Sequence, residues 1–214
     1  MSFYPELENL NVEELLALFW QSPLEEEDPF LYYSEVANTI ARKYKEGIIL
    51  LSEQIEKADT PRLIGIIFAL TQEPQNNSNL HNLLCGYLND ERPMVVAETI
   101  DALRRLEEKD SINKILTLQN HPSPYVRGSV LRYVARLYPE KAMSLLIQAL
   151  NDTDFLVREN AADELGELGV VTVIPLLHPL LTDSSQDVRE AAQTAIEMLE
   201  DVNKLEISSG KNFR

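Results

Sequence analysis

The sequence predicts an all-α fold, a right-handed solenoid of about six helical pairs, the last four of them regular. The first observation behind this is a repeat of 31 residues, with valine at Val95, Val126, Val157 and Val188. Four more columns keep the same frame. They are Val96, Arg127, Arg158, Arg189; Leu103, Val134, Leu165, Ile196; Leu106, Leu137, Leu168, Leu199; and, upstream, Leu84, Ile115, Leu146, Leu177. The second observation is that apolar residues within each period fall at helical spacing. The third is the turn and capping chemistry that separates two such stretches in each period. A period of this size marks a stacked array whose units bury their apolar faces on one another. Such arrays mostly present a long surface to another macromolecule, which favours binding over catalysis.

The N-terminal part is helical but degenerate. Asn11 followed three residues later by Glu14 is a capping-box pattern. Val12, Leu15, Leu16, Phe19 and Trp20 form the apolar stripe behind it. Helices are expected over 29–44, 48–57 and 61–71. They pair as two irregular units, as terminal repeats do when one face meets water. The polar run 73–79 marks the passage to the regular repeats, so the expected division is 1–78, 79–202 and a flexible tail, 203–214. Pro93, Pro122 and Pro124 stand before or at helix starts, where a missing N–H costs nothing.

In the third regular unit, helix 141–150 carries Met143, Leu145, Leu146, Ala149 and Leu150 on one stripe. Asn151-Asp152-Thr153-Asp154 then supplies turn and N-cap residues. The second helix, 155–168, places Leu156, Val157, Ala161, Leu165 and Leu168 on one side. Gly166 and Gly169 bracket its end, to take left-handed dihedrals or to let the next unit approach. The fourth unit repeats this plan over 171–181 and 186–199, except that Pro179 should kink its first helix or shift its boundary.

Composition bounds the function. Nineteen Lys and Arg against 35 Asp and Glu leave a net charge of −16, which disfavours nucleic acid and anionic membrane as partners. No apolar run approaches the ~20 residues of a membrane span, and a cytoplasmic location is expected. A single cysteine, Cys85, excludes an internal disulfide framework and a multi-cysteine metal site. The first base is Arg42, after an acidic stretch that includes Glu25-Glu26-Glu27-Asp28. That run reads as a solvated loop, with a docking site for a basic partner as the other reading.

The residues Asp152 and Arg158, Asp183 and Arg189, and the run Val157-Arg158-x-x-Ala161-Ala162-x-x-Leu165-Gly166-x-Leu168-Gly169 resemble the HEAT repeat. More closely, they resemble the short HEAT-like repeat named after phycobilisome lyases, which attach or remove bilins on phycobiliproteins. The resemblance covers 151–200 best, 89–140 less well, and fades before residue 79. Two positions depart from the pattern: Val96 stands in the Arg column and His121 in the Asp column. The resemblance implies a ladder of Asp and Arg along the stack, here Arg127, Asp152, Arg158, Asp183 and Arg189. A turn Asp six residues before an Arg can reach its own Arg or that of a neighbouring unit. The ladder is read as structural.

Chemistry-bearing motifs are sparse. His81, His121 and His178 form no His-Glu pair, which argues against the HEAT-like di-iron hydroxylases, and no phosphate loop or nucleophile elbow occurs. No catalytic and no metal-ligating residue is assigned. Cys85 lies in an apolar helix and reads as an inert thiol. Most of Phe19, Trp20, Phe30, Tyr32 and Tyr33 read as core, with one or two as interface anchors. Along the second helices some columns vary: Asp101, Arg132, Asp163, Thr194; Arg105, Arg136, Glu167, Met198; and Ala102, Tyr133, Glu164, Ala195. Arg104, Arg105, Arg132, Tyr133 and Arg136 are therefore expected to form an accessible basic and aromatic patch. It is either ordinary surface charge or a reader of partner carboxylates or of a bilin propionate.

The expected function is a non-catalytic scaffold or adaptor that binds another protein. From the repeat subtype, the implied partners are a phycobiliprotein, another photosynthetic or cofactor-assembly protein, or a second HEAT-like chain. The alternative is a subunit of a bilin lyase; no cofactor is expected under the first reading and a bilin under the second.

Overall fold

The structure, a computed structural model, describes residues 3–72 and 78–208. Residues 73–77 and 209–214 lie outside it, and with them most of the polar run and the end of the tail. Among the described residues the chain forms twelve α-helices and short 3-10 stretches, with no strand. It divides into two compact units, residues 1–108 and 109–214.

In the first unit a 3-10 turn, Pro5–Asn9, leads into α1 (Val12–Trp20). The Asn11 side chain accepts hydrogen bonds from the amides of Glu13 and Glu14, and the Glu14 carboxylate accepts from the amide of Asn11, which closes the capping box. α2 (Pro29–Lys43) begins at Asp28, whose carboxylate accepts from the amides of Phe30 and Leu31. α3 (Gly47–Ser52), α4 (Thr60–Leu70), α5 (Ser78–Tyr87) and α6 (Pro93–Arg105) follow. The helix expected over 48–57 ends at Ser52, and Ile55–Lys57 is a 3-10 turn. α2 packs on α1, α3 and α4, α4 packs on α6, and α5 packs on α6. The pairs are thus α1/α2, α3/α4 and α5/α6, with α2, α4 and α6 in one layer. Leu15, Phe19, Val36, Ile40, Ile66, Ile100 and Leu103 are fully buried between the layers. Each such side chain contributes about 1.5–3 kcal/mol of transfer free energy. Gly65 lets α4 approach α2: a Cβ there would stand 2.7 Å from the carbonyl oxygen of Tyr33.

In the second unit α7 (Ile112–Leu116) and α8 (Pro124–Leu137) form one hairpin, and α9 (Pro139–Ala149) and α10 (Phe155–Glu167) the next. The last pairs α11 (Ile174–Leu177) and its flanking 3-10 stretches with α12 (Gln186–Ser208). α8, α10 and α12 lie side by side, and α9 packs on both α8 and α10. Val126, Val157 and Val188, with Ile115, Leu146 and Leu177, are buried at these contacts. The expected effect of Pro179 takes a definite form. The helix over 171–181 is broken, and only Ile174–Leu177 is α-helical before a 3-10 stretch begins at His178. A proline there cannot donate the next i→i−4 bond. The two glycines divide the tasks foreseen for them. Gly169 holds φ at 70°, and Gly166 brings α10 against α12, since a Cβ there would meet the Cα of Ala195 at 3.0 Å. α12 continues past Leu199 to Ser208, so the segment 203–208 is helical.

Candidate partner-binding surfaces

One side-chain pattern recurs in each second helix of the second unit. The Nη1 of Arg127 donates to the carbonyl oxygens of His121 and Pro122 in its own turn, at 2.8 and 3.0 Å. Arg158 does the same to Asp152 and Thr153, and Arg189 to Asp183 and Ser184. The other edge of the fork reaches into the following hairpin. Nε and Nη2 of Arg127 donate to the two oxygens of Asp152 at 2.9 and 2.7 Å. Those of Arg158 donate to Asp183, each at 2.8 Å. Of the two pairings open from the spacing, the carboxylate thus bonds to the neighbour's Arg, 25 residues upstream, and the turn carbonyls to their own. Each Asp also accepts an amide hydrogen bond within its turn, Asp152 from Asp154 and Asp183 from Ser185.

Electrostatics follow from this geometry. The hydrogen bond from Arg158 holds Asp183 down at about 2, against the opposing effect of burial, with help from the Ser185 amide. For Asp152, burial raises the carboxyl, but the bonds from Arg127 and Asp154 outweigh it and the net shift is downward. Arg158 is raised by its bond to Asp183. The side chains of Arg158 and Asp183 are only 14% and 13% exposed, so solvent screens the pair less than a surface ion pair.

The departures at Val96 and His121 make sense in this register. They lie 25 residues apart, the spacing of Arg127 to Asp152 and of Arg158 to Asp183, and neither is the Arg or the Asp of those pairs. Asp90, one repeat above His121 in the Asp column, is bound by nearby Arg92 instead, through Nε and Nη2 at 2.8 Å each. That bond pulls its carboxyl down.

The basic and aromatic patch is placed differently from its expectation in one respect. Tyr133 is fully buried, so it is no accessible aromatic. Its column holds Ala102 and Ala195, also buried, and Tyr133 fills the same interior space with its ring 6.2 Å from that of Tyr138. Arg104 and Arg105 belong to the first unit, and Arg132, Tyr133 and Arg136 to the second. Arg104 bonds to Asp101 on its own helix. Arg105 bonds to Glu98 and to the hydroxyl of Thr71 and lies over the Phe68 ring. Arg132 bonds to Asn160 and to the hydroxyl of Ser129. Arg136 is exposed on α8.

The aromatic concentration is organised by a residue with little sequence signal, Arg62. It is 9% exposed, donates to the carbonyls of Phe19 and Gln21 at 2.7 and 3.0 Å, pairs with Asp59, and stacks 4.2 Å from the Tyr33 ring centroid. Phe19, Tyr32 and Tyr33 are buried, whereas Trp20 is 41% exposed at the edge of this cluster. Cys85 is half-buried, with Sγ 3.4 Å from His81 Nε2 one helical turn away.

A cavity of about 490 Å³ opens in the second unit between the turns that follow α7 and α9. Val130, Leu131 and Leu145 line it together with the polar Gln119, Gln148 and Asn151. Of the hairpins beside it, α7 is a helix of five residues and its repeat partner α9 of eleven. Among the described residues, no group of three or more His, Cys, Asp or Glu side chains is placed to hold a metal ion. None of the described helices is long and apolar enough to cross a membrane.

The family described as HEAT repeats matches residues 113–197. Over 86 residues the chain is 30% identical to phycocyanin operon protein Z of Pseudanabaena tenuis, a match covering 40% of this chain and 43% of that protein. Over 133 residues it is 25% identical to deoxyhypusine hydroxylase of Arabidopsis thaliana, covering 60% of this chain and 42% of the enzyme. The chain therefore spans less than half the length of either relative. Among solved structures, an engineered protein from a structural genomics consortium superposes with a TM-score of 0.51 at 18% identity, over 90% of this chain and 100% of that one. This last likeness concerns the fold.

Proposed function

We propose that the chain is a non-catalytic scaffold that holds another protein, and that its client is a phycobiliprotein or another component of photosynthetic or cofactor assembly. The observation that carries the client is the similarity to a phycocyanin operon protein. HEAT repeats over 113–197 support the scaffold role, because stacked hairpins offer long surfaces for macromolecular partners. Trp20, Arg42, Tyr125 and Arg136 are exposed residues of the types that dominate protein interfaces. A cytoplasmic setting belongs to this reading.

The hydroxylase relative does not redirect it. The chain's three histidines are followed by Asn82, Pro122 and Pro179, so the His-Glu pairs of the HEAT-like hydroxylases do not occur in this sequence. The phycocyanin operon relative equally supports a second reading, a subunit of a bilin lyase. Incubating the full chain with bilin and an apo-phycobiliprotein, then denaturing, separates the two. A complex with no chain-dependent covalent pigment is the scaffold result, and covalent pigment that appears only with this chain is the lyase result.

A further inference from the structure

Arg189 carries the ladder's clamp with no carboxylate on its other edge among the described residues. Arg127 and Arg158 each clamp their own turn carbonyls through Nη1 and hold the next hairpin's Asp through Nε and Nη2. Arg189 repeats the first half of this arrangement, with Nη1 at 2.7 Å from the carbonyl oxygen of Asp183 and 3.2 Å from that of Ser184. The clamp orients its guanidinium as in the two complete rungs. Among the described residues nothing accepts from its Nε or Nη2. Among the described residues Arg189 makes no ion pair. Around it lies an open hollow of about 650 Å³ lined by Leu181, Gln186, Glu190, Gln193 and Thr194.

We infer that this hollow is a docking surface for a turn aspartate of another helical-repeat chain, received by Nε and Nη2 of Arg189. The inference rests on the scaffold reading and names one contact of that scaffold. The chain itself supplies the template for the occupant, a carboxylate held bidentately at 2.7–2.9 Å in two successive rungs. The walls fit a polar turn rather than an apolar helix. Gln186 donates to Glu190 at 2.7 Å and Gln193 to Glu197 at 2.6 Å, so this face of α12 is polar. Bidentate recognition requires the planar guanidinium and is lost with a point charge.

The test is side-chain NMR of the full chain, following the arginine Nε–H signals at constant ionic strength. The probes are a capped peptide with the chain's own turn sequence Asn151-Asp152-Thr153-Asp154-Phe155-Leu156, the same peptide with both Asp changed to Asn, and N-acetylaspartate methylamide. The inference predicts a saturable shift at Arg189 with the acidic peptide and none at Arg127 or Arg158. Affinity should fall at least about tenfold for the Asn peptide and for Arg189→Lys. It is overturned by no saturable shift at Arg189, by equal response of all three arginines, or by equal affinity for N-acetylaspartate methylamide, which would make this a small-carboxylate site. If the fork is silent while the chain still binds a phycobiliprotein, only this inference falls and the scaffold reading stands.

Discussion

Arg158 and Asp183 are joined by two parallel hydrogen bonds of 2.8 Å across consecutive hairpins, and the same guanidinium holds the carbonyls of Asp152 and Thr153. One side chain therefore fixes its own turn and the approach of the next repeat. Replacing Arg158 with Ala strips four bonds and leaves a mostly buried acid unpaired. The expected loss is about 1–3 kcal/mol. Chemical denaturation should show the loss, and Asp183→Ala in the Arg158→Ala background should then add little, because the two share one interaction. Additive losses would show that the rung is not the unit of stability.

The same pair sets an acid limit. Asp183 titrates at about 2 in the folded chain against 3.8 for a free side chain, so its folded value is depressed. Its contribution is complete above the unfolded value and disappears as pH falls from about 4 to about 2. Allowing for partial solvent screening, it amounts to about 1–2 kcal/mol. Asp183→Asn should be less stable than the parent at pH 6, and the difference should close near pH 2. A gap independent of pH would assign the cost to packing.

Gly65→Ala tests the contact between α2 and α4. The added Cβ would meet the Tyr33 carbonyl, a backbone atom that cannot rotate aside, at 2.7 Å. Overpacking of this kind costs about 1–3 kcal/mol. Thermal unfolding should report it, and an unchanged midpoint would mean that the helices separate without cost.

Arg136→Glu tests the second-helix patch with the least structural disturbance. Arg136 is exposed, and Arg132, half-buried, is bonded to Asn160 and Ser129. The variant should keep its stability within about 0.5 kcal/mol. If an acidic client uses the patch, affinity should drop and the salt dependence of binding should weaken. Unchanged affinity would make Arg136 a solvated surface charge.

Much of the fold was legible because core columns repeat residue type. Val126, Val157 and Val188 share a register, and all three are buried. The Asp and Arg columns were legible as residues, but their partnership was not. The sequence shows a six-residue spacing within one turn, whereas the bond runs over 25 residues, a distance that only stacking brings together. Tyr133 was misread for a related reason. Its column mixes Ala, Tyr and Glu, and variation was taken as exposure, although the alanines at 102 and 195 are a sign of close packing. The break at Pro179 was legible as a fault but not as a 3-10 stretch, since the choice between a kink and an early end depends on how α11 packs on α12. Arg62 left little signal, because two of its bonds run to the backbone carbonyls of Phe19 and Gln21, which any residues would supply.

A scaffold binds its client without transforming it. Isothermal titration of the full chain with a purified apo-phycobiliprotein, with and without bilin, tests it most directly. Binding should saturate in both titrations, with no covalent pigment on either protein afterwards. Heats indistinguishable from dilution, or covalent bilin appearing on the phycobiliprotein in proportion to this chain, would contradict it.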